Sequence, residues 1–180
     1  MSLFSWFNAI NVKIYLCQKM TGLPQYKIYK HNLKATQVLE KHGIIVLSPV
    51  IEEDIKPCNK KMNQPSQKQL AFYWNRDKWM IRQSHVLFDI AGNVVSQGVT
   101  HELGFSRYFL FRPVVRLLKI KGPSVAIEED SLVDSVEDAA KLIVKNWGTP
   151  WRRLKWKFRL FGRCFFPYIK TRIAWFVDWV

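Results

Sequence analysis

Ser96-Gln97-Gly98-Val99-Thr100-His101-Glu102-Leu103-Gly104 is the stretch of this 180-residue chain best equipped for chemistry. It follows an apolar run, Val86 to Ile90, and opens a helix-like segment reaching Phe111. Strand, loop with serine and glycine, then a helix with an acid near its start is how open α/β sheets build ligand sites. Such sites lie beyond the carboxyl ends of parallel strands, where helix N-termini present unpaired N–H groups. A carboxylate there can attack or steady a cationic sugar carbon. The chemistry indicated is cleavage or transfer at an N-glycosidic bond.

That reaction builds positive charge on the anomeric carbon, which one carboxylate can trap covalently while a second carboxyl or a water handles the proton. Glu102, beside a strand end, is the nucleophile candidate. Asp77, on the preceding helix, is the candidate second carboxyl, because neighbouring segments of a parallel sheet bring such positions to one rim. The plainer reading of the same residues is that Glu102 complements a helix dipole and Asp77 is a solvated helix residue.

The elements that must hold them are legible. Val12–Cys17 alternates and is β-branched, as a strand requires, and its loop runs through Gly22 and Pro24. Tyr26 to His42 spaces Ile28, Leu33, Val38 and Leu39 as a helix would, with Gly43 as its stop. Ile44–Leu47 is a continuously apolar strand, and the crossover of helical length implies parallel pairing. The polar stretch Ile51 to Ser66, with Pro57 and Pro65, is long for a connection and is either a lid or partly disordered. A helix over 67–84 places Leu70, Tyr73, Trp74, Asp77 and Ile81 broadly on one side. Then follow a strand at Val86–Ile90, a helix over Gln97–Phe111, a strand over Val114–Ile120 and a short candidate strand at Val125–Ile127. The acidic Glu128-Glu129-Asp130 leads to a last helix from Val133 to Trp147, which Gly148-Thr149-Pro150 ends. The expected fold is α/β and Rossmann-like (flavodoxin-like), a parallel sheet of four or five strands over residues 1–149, with a cationic extension over 150–180.

The net charge of +14 is uneven: the last thirty residues hold eight cations against Asp178, half of the excess. A positive surface speeds encounter with phosphate-bearing partners without selecting among them. In the extension, Leu154, Trp156, Phe158 and Leu160 alternate with Lys155, Lys157 and Arg159 as in a strand. The same letters put Leu154, Phe158, Phe161 and Phe165 on one helix face. Either form is cationic, aromatic and amphipathic, suited to packing on the domain or a partner subunit, to nucleic acid, or to an anionic membrane. Cys17, Cys58 and Cys164 suggest neither a disulfide framework nor a Cys-x-x-Cys metal site; Cys17 at a buried strand end reads as a small apolar filler. The start, Met1 to Val12, lacks a signal-peptide pattern, and no apolar run approaches the roughly 20 residues of a membrane span. The expected location is cytoplasmic.

Several of these segments resemble the nucleoside 2-deoxyribosyltransferase superfamily, which includes the 2'-deoxynucleoside 5'-phosphate N-hydrolases. The resemblance covers about Lys13 to Leu118. It rests on Ser96-x-Gly98-x-x-x-Glu102-Leu103-Gly104, followed by Arg112-Pro113-Val114-Val115, on Asp77-x-Trp79-Met80, on Tyr15-Leu16-Cys17 with Met20-Thr21-Gly22-Leu23-Pro24, and on Gly43 with Val46-x-Ser48-Pro49. It implies Glu102 as the nucleophile of a deoxyribosyl-enzyme, Asp77 as sugar ligand and proton-transfer partner, and Tyr15 as a hydrogen-bonding support. Ser96 and the N–H groups around Gly98 would receive a 5'-hydroxyl or 5'-phosphate of a deoxyribonucleoside or nucleotide. A homo-oligomer and a phage or bacterial role in nucleotide metabolism would fit, and no metal or organic cofactor is implied. The chain departs from the family pattern at Gln18, usually glycine, and Lys19, usually proline or serine. Gln18 would reshape or close the base pocket, and Lys19 would recruit phosphate. His85 replaces a residue before the third strand and is a weak acid/base candidate; His101, next to Glu102, should point elsewhere. The rival class is a non-catalytic nucleotide-binding scaffold docked through its basic tail to nucleic acid, membrane or a partner protein.

Overall fold

The computed structural model describes residues 11–52, 58, 60–61, 63, 65–91, 97–117 and 131–158. Strand β1 is Val12–Cys17, and helix α1, Gln25–Lys41, ends at Gly43, whose φ of 74° supplies the left-handed residue that closes the helix. Strand β2 is Ile44–Leu47, followed by a one-turn helix α2, Pro49–Glu52. Helix α3, Gln67–Gln83, opens with a capping box in which Ser66 and Gln69 satisfy each other's backbone N–H groups. Strand β3 is Val86–Asp89, helix α4 is Gln97–Gly104, and strand β4 is Val114–Leu117. Strand β5 is Ser131–Val133, and helix α5, Val136–Trp147, starts at Ser135, whose hydroxyl accepts from the Asp138 N–H. A further helix, α6, spans 150–158.

All strand pairs are parallel, in the order β2-β1-β3-β4-β5. This is the flavodoxin-like winding, whose order reverses between β1 and β3, the point at which open α/β sheets take ligands at their carboxyl ends. The two-residue period of β1 sends Val12, Ile14 and Leu16 to one side, against Ala35, Leu39, Ala139, Ala140 and Ile143 of α1 and α5. It sends Tyr15 and Cys17 to the other, against Met80, Ile81, Val99 and Leu103 of α3 and α4. The second face is the one that carries polar groups at its carboxyl edge.

Three expectations change. The last helix begins at Val136 rather than Val133: Leu132 and Val133 belong to β5, and the Ser135 cap fixes the start. The fifth strand is therefore Ser131–Val133, while Val125–Ile127 lies outside the described residues. The segment after β3 is not one α-helix to Phe111. It passes at Phe105–Phe109 into a π-helical turn, closed by the Leu110 N–H on the Phe105 carbonyl at 3.3 Å, and Phe111 adopts a positive φ of 50°. In α1 and α3, Leu33 and Leu70 are exposed; the buried positions of α1 include Asn32 and Thr36, held because Ser48 donates to the Asn32 Oδ1 at 3.0 Å.

Over 150–158 the C-terminal segment is helical and packs Trp156 against the α1/α5 core, its ring edge-on to Trp147 at 5.4 Å. Arg153 donates to the carbonyls of Asn11 at 2.6 Å and Trp147 at 3.2 Å, and Arg152 to that of Val144 at 3.0 Å. Residues 159–180 lie outside the described part. Among the described residues no helix is long and apolar enough to cross a membrane. Replacing a half-buried Trp removes less packing than a core one, so Trp156→Ala is expected to lose about 2 kcal/mol. Urea denaturation checks this, and an unchanged midpoint would mean that the ring only rests on the surface.

Candidate active site

Parallel register sets the floor of the site. Cys17 of β1 pairs with Asp89 of β3, which pairs with Arg116 of β4, so three side chains form one row across the carboxyl edge. Asp89 is fully buried and accepts from Arg116 Nε at 3.0 Å and from the Ala91 N–H at 2.8 Å. Burying a carboxylate without such partners would be costly, so the pair and the turn hold each other in place. The helices supply the rest. Glu102 on α4 and Asp77 on α3 are both buried, and both lie over the face that carries Tyr15 and Cys17.

Glu102 is the centre of the cluster. The Cys17 thiol donates to its Oε2 at 2.7 Å. Burial, first, and then the Asp77 carboxylate push the Glu102 pKa up to about 8; the Cys17 hydrogen bond opposes that, Asp89 adds to it, and the Tyr15 hydroxyl opposes it. Cys17 and Tyr15 are themselves held well above their ordinary pKa values, chiefly by burial and then by Glu102, so both stay protonated. The Tyr15 hydroxyl is near enough to favour a charged Glu102 but makes no well-formed hydrogen bond among the described residues. Asp77 is bound through Oδ1 to Arg76, whose Nη2 lies at 2.8 Å and Nε at 3.1 Å.

Glu102, Asp77 and Tyr15, the three expected to act on substrate, therefore come together. Gly98 is exposed in the first turn of α4, and Ser96 lies outside the described residues. Gln18 is buried, its amide turned onto the Ile28 carbonyl of α1 at 3.2 Å, and Lys19 is half-buried just beyond it. His85 is not part of the site: it precedes β3 at the opposite edge, where its Nδ1 accepts from the Lys13 N–H at 2.9 Å. His101 is exposed and turned toward Trp74.

Cys17 is more than an apolar filler, because the period that buries it also aims it at Glu102. Asp89 and Arg116 were not singled out from the sequence. Their signal was a lone acid and a lone base in two otherwise apolar strands. Among the described residues no group of three His, Cys, Asp or Glu side chains is arranged to hold a metal ion.

No protein-family model and no curated protein matches the sequence. Solved structures do. The 2-deoxyribosyltransferase of Bacillus psychrosaccharolyticus aligns with 71% of this chain and 90% of its own, at 26% identity and a TM-score of 0.52. This chain has the fold of the nucleoside 2-deoxyribosyltransferase superfamily. The CMP N-glycosidase of Clostridium botulinum covers 73% of this chain and 97% of its own (14% identity, TM-score 0.45). A conserved protein from Enterococcus faecalis V583 covers 74% and 98% (18% identity, TM-score 0.48).

The Glu102 environment has a consequence for stability. Its folded pKa, about 8, lies above the ordinary 4.5, so between those values the folded chain holds a proton that the unfolded chain has released. This group's contribution to stability is therefore full below about pH 4.5, falls as pH rises across the window, and is lost above it. Glu102→Gln removes that dependence, and its Tm relative to the parent is expected to climb steadily as pH rises from 5 to about 8, following the shifted pKa. Thermal melts of both proteins check this; a difference constant with pH would contradict the raised pKa.

Proposed function

We propose that this protein cleaves or transfers the N-glycosidic bond of a deoxyribonucleoside or its 5'-monophosphate, with Glu102 as nucleophile. The observation that carries the proposal is the convergence of Glu102 and Asp77, from separate helices, over the face of β1 that carries Tyr15 and Cys17, with Cys17 donating to Glu102. The likeness to the Bacillus deoxyribosyltransferase supports the reaction class. In this reading Gln18 and Lys19, which follow β1, would face the base, and Ser96 and Gly98 would receive the 5' end of the substrate.

In this mechanism a Glu102 carboxylate oxygen attacks C1' of the sugar. The C1'–N bond breaks, its electron pair leaves with the base, and the base is protonated as it departs. Asp77 holds the sugar hydroxyls and relays to the base a proton drawn from solvent water; the water or second base that attacks next gives up a proton by the same route, so none is gained or lost over the cycle. Water, or the nitrogen of a second base, then attacks C1' from the vacated side, and the Glu102 ester bond breaks to return the carboxylate. Cys17 and Tyr15 are positioning residues: each favours the charged form of Glu102, which the attack requires.

Chromatography of free base across a panel of deoxynucleosides and their 5'-monophosphates tests the proposal. Glu102→Gln is expected to lower base release about a thousandfold or more, and Asp77→Asn about a hundredfold or more. Undiminished turnover in Glu102→Gln would remove Glu102 from the mechanism.

Because the nucleophile must be ionised, kcat/KM is expected to rise with pH and level off above about 8. Cys17→Ala deletes a hydrogen bond to the charged form and should move that limb to higher pH, while Cys17→Ser restores it. A limb that stays in place in Cys17→Ala would show that the thiol does not tune Glu102.

A further inference from the structure

At the amino edge of the sheet, opposite the Glu102 site, a half-open cleft of about 380 Å³ lies between α6 and the residues that precede β3 and β4. That volume is in the range of small-ligand pockets. Among the described residues its lining includes Arg82, Arg112, Arg153 and Lys157, and no acidic residue.

The walls are also short of hydrogen-bond acceptors. Arg112 spends Nη2 on the Arg82 carbonyl at 2.6 Å, but its buried Nε has no acceptor among the described residues. The indole N–H groups of Trp147 and Trp156, which border the same cleft, are likewise buried without an acceptor. His85 Nδ1 accepts the Lys13 N–H, so the neutral ring carries its proton on Nε2 and adds another donor. Burial first, and then the positive charge of Arg153, Arg112, Lys13 and Lys157, push the His85 pKa down to about 4. Two features of the open wall thus agree: several cations and, among the described residues, no lining carboxylate.

We propose that this cleft binds the phosphate groups of a small polyphosphorylated ligand, at a second site separate from that of Glu102. A single carboxylate would offset only one of the four guanidinium and ammonium charges. Two or three linked phosphates match them, and their oxygens accept from the guanidinium, ammonium and imidazole N–H groups of the lining. Phe111, 45% exposed at the rim, offers an apolar face beside the anion, where a nucleobase attached to the phosphates would rest.

The test is isothermal titration of the full chain with inorganic triphosphate and, separately, with a nucleoside triphosphate. Binding of either supports the proposal, and tighter binding of the nucleotide assigns the rim to a base. Lys157→Gln, at an exposed position, and Arg112→Gln are each expected to weaken affinity about tenfold, as loss of one charged hydrogen bond does. The first keeps the test valid if the second folds poorly. Glu102→Gln should bind unchanged, which separates this site from the proposed reaction.

In NMR titration the ring protons of His85, identified by their loss in His85→Asn, should show a pKa raised from about 4 on adding triphosphate. No binding of either triphosphate would overturn the proposal. So would affinity unaltered by Lys157→Gln and Arg112→Gln. Binding confined to single-stranded DNA or to phosphatidylglycerol vesicles would also overturn it, by assigning the cations to a polymer or a surface.

Discussion

A glutamate buried among other acids is the constraint around which this molecule is arranged. Left alone, Glu102 would be protonated across most of the ordinary pH range, because burial and Asp77 both oppose its charge. Cys17 and Tyr15 push the other way. The outcome is a carboxyl group poised near pH 8. A group poised there changes charge with small changes in its surroundings, such as the arrival of a substrate that displaces water or brings its own charge.

That balance depends on the sheet. Cys17 reaches Glu102 because β1 alternates without a bulge and because β1 and β3 are parallel, in a register that sets Cys17 beside Asp89. Asp89 in turn is held by Arg116 from the next strand. Shifting either strand by one residue would turn these side chains to the opposite, apolar face, where α1 and α5 pack. The hydrophobic packing of the far face therefore enforces the polar arrangement of the near one. The two ends of the sheet also differ in charge: at the carboxyl edge Asp89 and Asp77 are matched by Arg116 and Arg76 beside Glu102, whereas the described lining of the amino-edge cleft is cationic only.

The sequence disclosed much of this because the strands alternate cleanly and the helices carry their own punctuation. Gly43 and the Ser-Pro after β2 mark ends that hold to within a residue or two. Four things were hidden. Ser131–Val133 is too short to show a period, and its apolar pair merged with the helix that follows, although Ser135 with Asp138 marked the true start. The π-helical turn after Gly104 has no local signature in the sequence; in it Phe105 meets Trp74 edge-on and lies beside Phe109. The Asp89–Arg116 pair required knowing which strands are neighbours, and the sequence order of β3 and β4 does not reveal their register. The cationic cleft was similarly invisible, because it draws on α3, the approach to β4 and α6 at once.

The central claim is that Glu102 itself takes the sugar. Rapid quenching of the protein with a cleavable deoxynucleoside, followed by mass spectrometry of its peptides, tests this directly. The expected result is one added deoxyribosyl group on Glu102, missing from Glu102→Gln. Base release with no adduct on Glu102, or with the sugar on another residue, would contradict the account.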